Sequence, residues 1–378
     1  MKILVTGGAG YIGSVLVPIL LEKDYYVIVV DNFMYNQTSL LDCCHYKNLE
    51  IIRGDTRNEG LLKDVLKKVD VIFPLACITG APACDKNPYE AKSVNLDAIK
   101  LIVNLRSKSQ IIIFPTTNSG YGIGQEGIYC TEETPLKPIS LYGKLKVEAE
   151  EIVLNSGNSI TLRFATCFGI SPRMRLDLLV NDFVYRAVVD KYLVVYQGHF
   201  KRNYIHVRDA SFAFIHCLEN FEKMRDNTYN VGLSDANISK LELCELIKKY
   251  IPDFYYHQAE VGEDPDKRNY IVSNEKIEKS GFKAKISLDE GIEELKKLMK
   301  EVIKFNDTKE DILITNLRHK ELLEKCKNSL ENALISLEIY PLDIISLDLK
   351  EAVNYLGEII GINITEELLD RIFSQFCV

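Results

Sequence analysis

No stretch of this 378-residue chain holds the ~20 consecutive apolar residues that a bilayer-spanning helix needs. The N-terminus opens as a core strand and lacks the pattern of a secretory signal. The expected compartment is therefore the cytoplasm, with no membrane partner. Basic clusters are also missing: 46 Lys and Arg face 54 Asp and Glu, for a net charge of −8. That balance argues against a nucleic-acid-binding surface on the main body. Ten cysteines form no C-x-x-C pair, and six histidines form no H-E-x-x-H. Reduced, mostly buried thiols and no metal site are expected. No G-x-x-x-x-G-K-[ST] loop occurs, so the P-loop way of cradling a nucleoside triphosphate is excluded.

What is present reads as globular: 47% apolar and 26% charged residues, with few prolines. The length suggests two or three domains. Up to about residue 165, apolar runs (Ile3–Val5, Tyr26–Val30, Leu49–Ile52, Val71–Leu75, Ile111–Phe114, Ser159–Leu162) alternate with amphipathic stretches. Nearly continuous apolar strands interleaved with helices predict an α/β Rossmann-type fold, a doubly wound parallel sheet covered on both faces. From 166 to about 305 the rhythm shortens, with helical patterns near Asp209–Phe221 and Lys240–Tyr250. This predicts a smaller α/β substrate-binding region interleaved with the core. Residues 306–378 are helix-patterned, punctuated by Pro341, Gly357 and Gly361, and predict an all-helical tail. Leu317, Leu322, Leu323, Leu330, Leu334 and Leu337 have the spacing of packed helices.

The first thirteen residues carry the strongest local signal. A short strand feeds Thr6-Gly7-Gly8-Ala9-Gly10-Tyr11-Ile12-Gly13 into a helix-like stretch, Ser14–Glu22. Glycines allow a tight turn and close backbone approach, and a helix N-terminus offers N–H groups to a pyrophosphate. The spacing is G-x-x-G-x-x-G. Asp31 closes the second strand about twenty residues on, where a carboxylate accepts both adenosine ribose hydroxyls and repels a 2′-phosphate. NAD is thereby favoured over NADP; the alternative is a solvated strand-end aspartate. Gly54-Asp55-Thr56 ends the third strand, where a side chain can cap the adenine. Leu75-Ala76-Cys77 ends the fourth, where packing against a cofactor favours small residues.

Tyr142 and Lys146 lie one helical turn apart on one face. A free phenol titrates near pH ~10 and is a poor base at neutrality. A neighbouring ammonium together with a positive nicotinamide ring would stabilise the phenolate, and Lys146 can also hold the nicotinamide ribose. The alternative is an exposed helical face. Thr117, four residues before Tyr121, can bridge the tyrosine and a reacting substrate oxygen.

Taken together, Thr6–Gly13, Asp31-Asn32, Gly54-Asp55, Leu75-Ala76, Asn95, Thr117…Tyr121-Gly122, Tyr142…Lys146 and Arg202–Asp209 resemble the extended short-chain dehydrogenase/reductase family of nucleotide-sugar epimerases and dehydratases, over residues 1 to about 300. The resemblance implies a cofactor site of Gly7, Gly10, Tyr11, Ile12, Gly13, Asp31, Asn32, Asp55, Thr56, Leu75, Ala76, Cys77, Asn95, Tyr142, Lys146 and Ala165. Thr117, Tyr142 and Lys146 would be catalytic, with Tyr142 taking a proton from a sugar hydroxyl, usually at C4. Thr117, Asn118, Asn181, Arg202 and Arg268 would contact the substrate. Arg173 and Arg175 either line the same pocket or rim it.

The family's 4,6-dehydratases carry two acids directly after the hydroxyl residue, where this chain has Asn118 and Ser119. An amide cannot donate and recover a proton as a carboxylic acid does, so dehydration is disfavoured. Oxidation at C4 remains, ending as a 4-epimerase or a 4-dehydrogenase. Gly80–Pro82, Asn118–Gly124, Gly169–Asn181 and Asn203–Asp209 resemble the GDP-manno-heptose 4-dehydrogenases of capsule synthesis, implying a GDP-linked sugar. Asp311–His319, Gly357–Gly361 and Leu369–Cys377 resemble the C-terminal helices of tRNA-modifying GTPases acting on wobble uridine. A helical segment without its usual partner helices is expected to dock on the body or on another copy, giving a homo-oligomer. Cys377 reads as either a terminal apolar anchor or a reactive thiol. A non-catalytic NAD sensor has no need of Thr117, Tyr142 and Lys146 together, and an RNA-modification factor would lack its GTPase loop.

Overall fold

The structure, a computed structural model, describes residues 1–259, 268–307, 317–337 and 342–360. The chain divides into two compact units, Met1–Ile303 and Lys304–Val378.

The first unit is built on a seven-stranded parallel sheet. Its strands are β1 (Lys2–Thr6), β2 (Tyr26–Asp31), β3 (Leu49–Arg53), β4 (Val71–Pro74), β5 (Ile111–Thr117), Ser159–Phe164 and Asn227–Val231. All six expected apolar runs form strands, the Val71–Leu75 run ending one residue early at Pro74. From the edge the order is Asn227–Val231, Ser159–Phe164, β5, β4, β1, β2, β3. β1 therefore has β4 on one side and β2 on the other, in parallel register with both. The strand order reverses at β1, and doubly wound sheets open a binding crevice at that point. The seventh strand arises within the region expected to bind substrate, so that region returns to the main sheet.

Alternation along β1 shows why the strands must be apolar throughout. Ile3 and Val5 join one core with Leu16 and Leu20 of helix α1 (Gly13–Glu22) and with Phe73 and Phe214. Leu4, between them, faces the opposite core with Ile28, Phe114 and Val153. Each such side chain contributes roughly 1.5–3 kcal/mol when fully buried, so both faces must be covered by helices.

Residues after Phe164 add a third core. Phe168, Val184, Tyr204, Leu243 and Ile292 pack together around helices Leu179–Val189, Lys240–Tyr250 and Leu288–Asp307. The Lys240–Tyr250 helix starts at a capping box in which Ser239 and Glu242 satisfy each other's backbone. The pattern near Asp209–Phe221 is helix Val207–Glu219 followed by the short Phe221–Met224 turn.

The second unit contains helices Leu317–Ser336 and Leu342–Ile360. They run antiparallel: Ser329 Oγ donates to Glu351 at 3.4 Å, and Lys325 Nζ lies 5.8 Å from the Tyr355 ring centroid. Two expectations need correction. The buried stripe is Leu322, Cys326, Ser329 and Ala333, whereas Leu323, Leu330, Leu334 and Leu337 flank it and are exposed. Gly357 does not punctuate the second helix, which continues to Ile360 with that glycine buried. Pro341, Gly361 and Leu369–Cys377, including Cys377, lie outside the described residues, as do 311–316. Among the described residues no helix is long and apolar enough to cross a membrane, and no cluster of metal-binding side chains occurs.

Candidate active site

At the C-terminal end of β1 the chain turns through Gly7–Ile12 into α1. Gly7 has φ +67°, and a Cβ there would sit 2.7 Å from the backbone of Ala76. A Cβ on Gly13 would fall 2.6 Å from Gly8, so the first turn of α1 rests directly on the loop. Only glycine permits either approach. The Gly10 N–H donates to Gly7 O at 3.0 Å, and Ser14 N–H to Gly10 O at 2.9 Å. Asp31, at the end of β2, is nearly buried; its carboxylate accepts from Ala9 N–H (3.0 Å) and Phe33 N–H (2.8 Å). Oδ2, which accepts only from Ala9, still has a lone pair for a ribose hydroxyl.

One continuous cavity connects these features. Asp31, Asn32, Asp55 and Thr56 line one end, then Gly7, Gly10, Tyr11, Ile12 and Gly13. Leu75, Ala76 and Cys77 follow, and Thr117, Tyr142, Lys146, Ala165 and Arg268 complete the other end. A cradle that any Cβ would fill, with a carboxylate twenty-odd residues away at the ribose position, fits NAD. At that end Asp55 also accepts a forked hydrogen bond from Arg57, whose guanidinium holds its carboxyl below the usual range.

Four expected site residues stand behind the wall. Asn95 is buried and clamps Ile78, accepting from its N–H and donating to its C=O, both at 2.8 Å. It shapes the loop after β4 from beneath. Asn181 has no exposed surface: its Oδ1 accepts from Gly169 N–H at 3.0 Å, and its Nδ2 donates to Arg175 O at 2.8 Å. Arg202 is buried with its guanidinium 5.8 Å from the ring centroid of Tyr270, and Tyr270 itself lines the cavity. Asn118 is 1% exposed, and its amide Nδ2 and Oδ1 have no hydrogen-bond partner among the described residues.

The catalytic end is set by helix Leu141–Asn155. Ser140 caps it, accepting from Gly143 N–H at 3.1 Å, which fixes the first turn and with it Tyr142. Lys146, one turn on, is buried, with Nζ 4.1 Å from the centroid of Phe114. A further turn along, buried Glu150 accepts from Thr116 Oγ1 at 2.6 Å and from the Arg163 fork. That pair ties the helix to β5 and to strand Ser159–Phe164. Thr117 donates to Ser119 Oγ at 2.8 Å, and Ser119 Oγ also accepts from Arg268.

Burial pushes the Tyr142 phenol well above its ordinary value, and Cys77 adds to this, while Arg175 and Arg268 pull it down. Lys146's own ammonium is disfavoured by the same burial, with Cys77 and Glu150 acting in its favour. The cations that relieve Tyr142, Arg175 and Arg268, both line the cavity.

Sequence reasoning left Arg173 and Arg175 open; both line the cavity, and Arg175 is forked onto Asp177. Ser119, Ser140, Cys167 and Tyr270 also line it and were missed. Ser140 had a readable signal, a capping residue two positions before Tyr142. Cys167 and Tyr270 had none, because tertiary folding alone brings them there.

The NAD dependent epimerase/dehydratase family matches residues 3–232. UDP-glucuronic acid decarboxylase 1 of Arabidopsis thaliana is 28% identical over 306 residues, 77% of this chain and 68% of the relative. The uncharacterized UDP-glucose epimerase YtcB of Bacillus subtilis is 32% identical over 265 residues, 66% of this chain and 79% of the relative. The solved UDP-glucose 4-epimerase of Thermotoga maritima shares the fold, with a TM-score of 0.71 and 23% identity over 80% of this chain and 100% of that one. Separately, 102 residues are 46% identical to the tRNA modification GTPase MnmE of Caldicellulosiruptor saccharolyticus, 26% of this chain and 22% of the GTPase. This chain is an NAD-using nucleotide-sugar enzyme that belongs to the NAD dependent epimerase/dehydratase family.

Proposed function

We propose that the chain oxidises a nucleotide-linked sugar at C4. One observation carries this reading: Thr117, Tyr142 and Lys146 meet at one end of a cavity whose other end is Asp31. Tyr142, as phenolate, takes the proton of the C4 hydroxyl. Thr117 holds the same oxygen, and Lys146 fixes the phenol and the ribose beside it. NAD, when bound, supplies the hydride acceptor. Arg268 reaches the diphosphate from the facing loop, with Arg175 beside the sugar. Asn118, Asn181 and Arg202 support this pocket from behind, and Asn95 and Ala165 support the cofactor. Asn118 and Ser119 leave no acid to expel water, so the 4-keto sugar is not dehydrated.

The finer reading is a GDP-manno-heptose 4-dehydrogenase acting in the cytoplasm on the way to a surface polysaccharide. It rests on the likeness of Gly80–Pro82, Asn118–Gly124 and Gly169–Asn181. A nucleotide-hexose 4-epimerase is the second reading, favoured by the family match and by YtcB. We also propose that the catalytic body comprises residues 1–165 and 166–305, and that the 306–378 tail is a remnant of a tRNA-modifying GTPase. Its exposed leucines would support self-association. A panel of GDP- and UDP-sugars with mass detection tests the function: loss of two hydrogens identifies a dehydrogenase and an isobaric product an epimerase. If no sugar is converted, the proposal fails.

A further inference from the structure

Two loops meet over the dinucleotide crevice. The first follows β2. Asp31 accepts from Phe33 N–H at 2.8 Å and from Gln37 Nε2 at 3.4 Å, and Tyr35 N–H donates to Gln37 Oε1 at 3.1 Å. Phe33 and Asn36 both take left-handed backbone, at φ 53° and 50°, closed by a 2.9 Å bond from Asn36 N–H to Phe33 O. This tight turn projects Tyr35 outward, leaving it 58% exposed. The carboxylate placed to read the ribose is thus the anchor of the loop that carries Tyr35.

The second loop follows Gly169 and is fastened to the glycine loop. Tyr11 Oη donates to Gly169 O at 2.7 Å, and Ser171 Oγ donates to Tyr11 O at 2.7 Å. Ser171 Oγ lies 3.0 Å from Ser14 Oγ, which also accepts from Arg173 N–H at 3.3 Å. Arg173 then extends its guanidinium to 4.4 Å from the Tyr35 ring centroid. Both residues line the cavity together with Asp31 and Gly10.

We propose that Tyr35 and Arg173 form a clasp across the adenosine and pyrophosphate part of the crevice, which slows release of NAD. A single contact between an exposed tyrosine and a half-buried arginine on two loops adds little stability, but one spanning the mouth of a crevice must open before a long ligand leaves. Each loop is held by a residue of the cofactor site: Asp31 on one side and Tyr11 on the other, with Ser14 of α1 adding a further tie. A bound ribose at Asp31 therefore bears directly on the loop that closes the clasp.

The test is the dissociation rate of NADH from the full-length protein, followed by loss of its protein-bound fluorescence on mixing with excess NAD. Tyr35→Ala and Arg173→Gln should each speed release by roughly three- to tenfold, the scale of one cation–π contact. The double variant should be no faster than either single one, because both remove the same contact. Tyr35→Phe keeps the ring and should release as slowly as the parent. Melting of the NAD-free variants should stay at the parent value, separating loss of the clasp from loss of fold. Unchanged release rates in the single variants would overturn the proposal. So would multiplicative effects in the double variant, or Tyr35→Phe behaving like Tyr35→Ala.

Discussion

Lys146 holds its ammonium 4.1 Å from the ring centroid of Phe114, three positions before the Thr117 hydroxyl on the same strand. This contact joins the helix of Tyr142 to the strand of Thr117, so the three groups are placed by one packing event. Aromatic faces stabilise a partly desolvated cation, which offsets some of the burial that disfavours Lys146's charge.

The base itself gives the first prediction. Burial raises the Tyr142 phenol and Arg175 lowers it, so the rate of sugar oxidation should climb with pH as the phenol ionises. Arg175→Gln removes the cation and leaves Asp177 unopposed, both of which raise the phenol. The rising limb of the pH–rate profile should move to higher pH in that variant; an unmoved limb would remove Arg175 from the account. Tyr142→Phe should lose about 10²–10⁴-fold in turnover while still binding NAD.

Asp31 is held by two backbone N–H groups and faces the cavity. Asp31→Asn keeps an acceptor and removes the charge that repels a 2′-phosphate. Fluorescence titration should show weaker NAD binding and a smaller preference for NAD over NADP. Unchanged discrimination would assign cofactor choice elsewhere.

Glu150 and Arg163 form a buried pair, 5% and 8% exposed, that also engages Thr116 and Tyr121. Removing one partner strands the other charge in the interior. Glu150→Ala should therefore lose about 3–5 kcal/mol of unfolding free energy in denaturant titration.

His206 has no exposed side-chain surface, and its Nδ1 accepts from Arg208 N–H at the start of helix Val207–Glu219. Burial, with Arg208 beside it, pushes its pKa down to about 4, against the pull of Glu290; Glu294 lies 3.4 Å from Nε2. The unfolded chain thus takes up a proton near pH ~6.5 that the folded chain refuses until about 4. Stability from this group is full above the unfolded value and is lost as pH falls through the folded one, about 3 kcal/mol in all. Neighbouring Asp209, raised by burial, acts in the opposite direction, so the comparison must be with a variant. His206→Asn keeps a capping acceptor and should lose less stability than the parent between pH 6.5 and 4.

Deleting residues 306–378 tests the tail. Leu323, Leu330 and Leu334 are exposed on its first helix and Leu337 directly after it. Light scattering should show fewer copies per particle after deletion, with sugar oxidation retained. An unchanged number of copies would separate the tail from self-association.

The sheet and glycine loop were legible in the sequence because local patterns dictate both. Short continuous apolar runs alternating with amphipathic stretches read as covered strands, and Gly7 and Gly13 answer contacts that no Cβ survives. Tyr142 and Lys146 were legible because helical spacing puts them on one face. What supports them was not. Cys167 reaches the cavity from strand Thr166–Phe168, and Arg175 and Tyr270 through loops, along paths that depend on long-range bonds such as Tyr11 to Gly169, 158 residues apart. Asn95 and Asn181 have side chains suited to binding, but they bond to the backbone behind the wall. In the tail, Leu323, Leu330, Leu334 and Leu337, spaced by seven, four and three residues, marked a helix without telling its buried stripe from the flanks.

The central claim is that C4 of a nucleotide sugar gives up its hydrogen beside Tyr142. A single turnover with a sugar deuterated at C4 tests it most directly, followed at the absorbance of reduced nicotinamide. The account predicts slower appearance of that absorbance than with the unlabelled sugar, and deuterium carried on the reduced cofactor. Equal rates together with deuterium retained at C4 would contradict it.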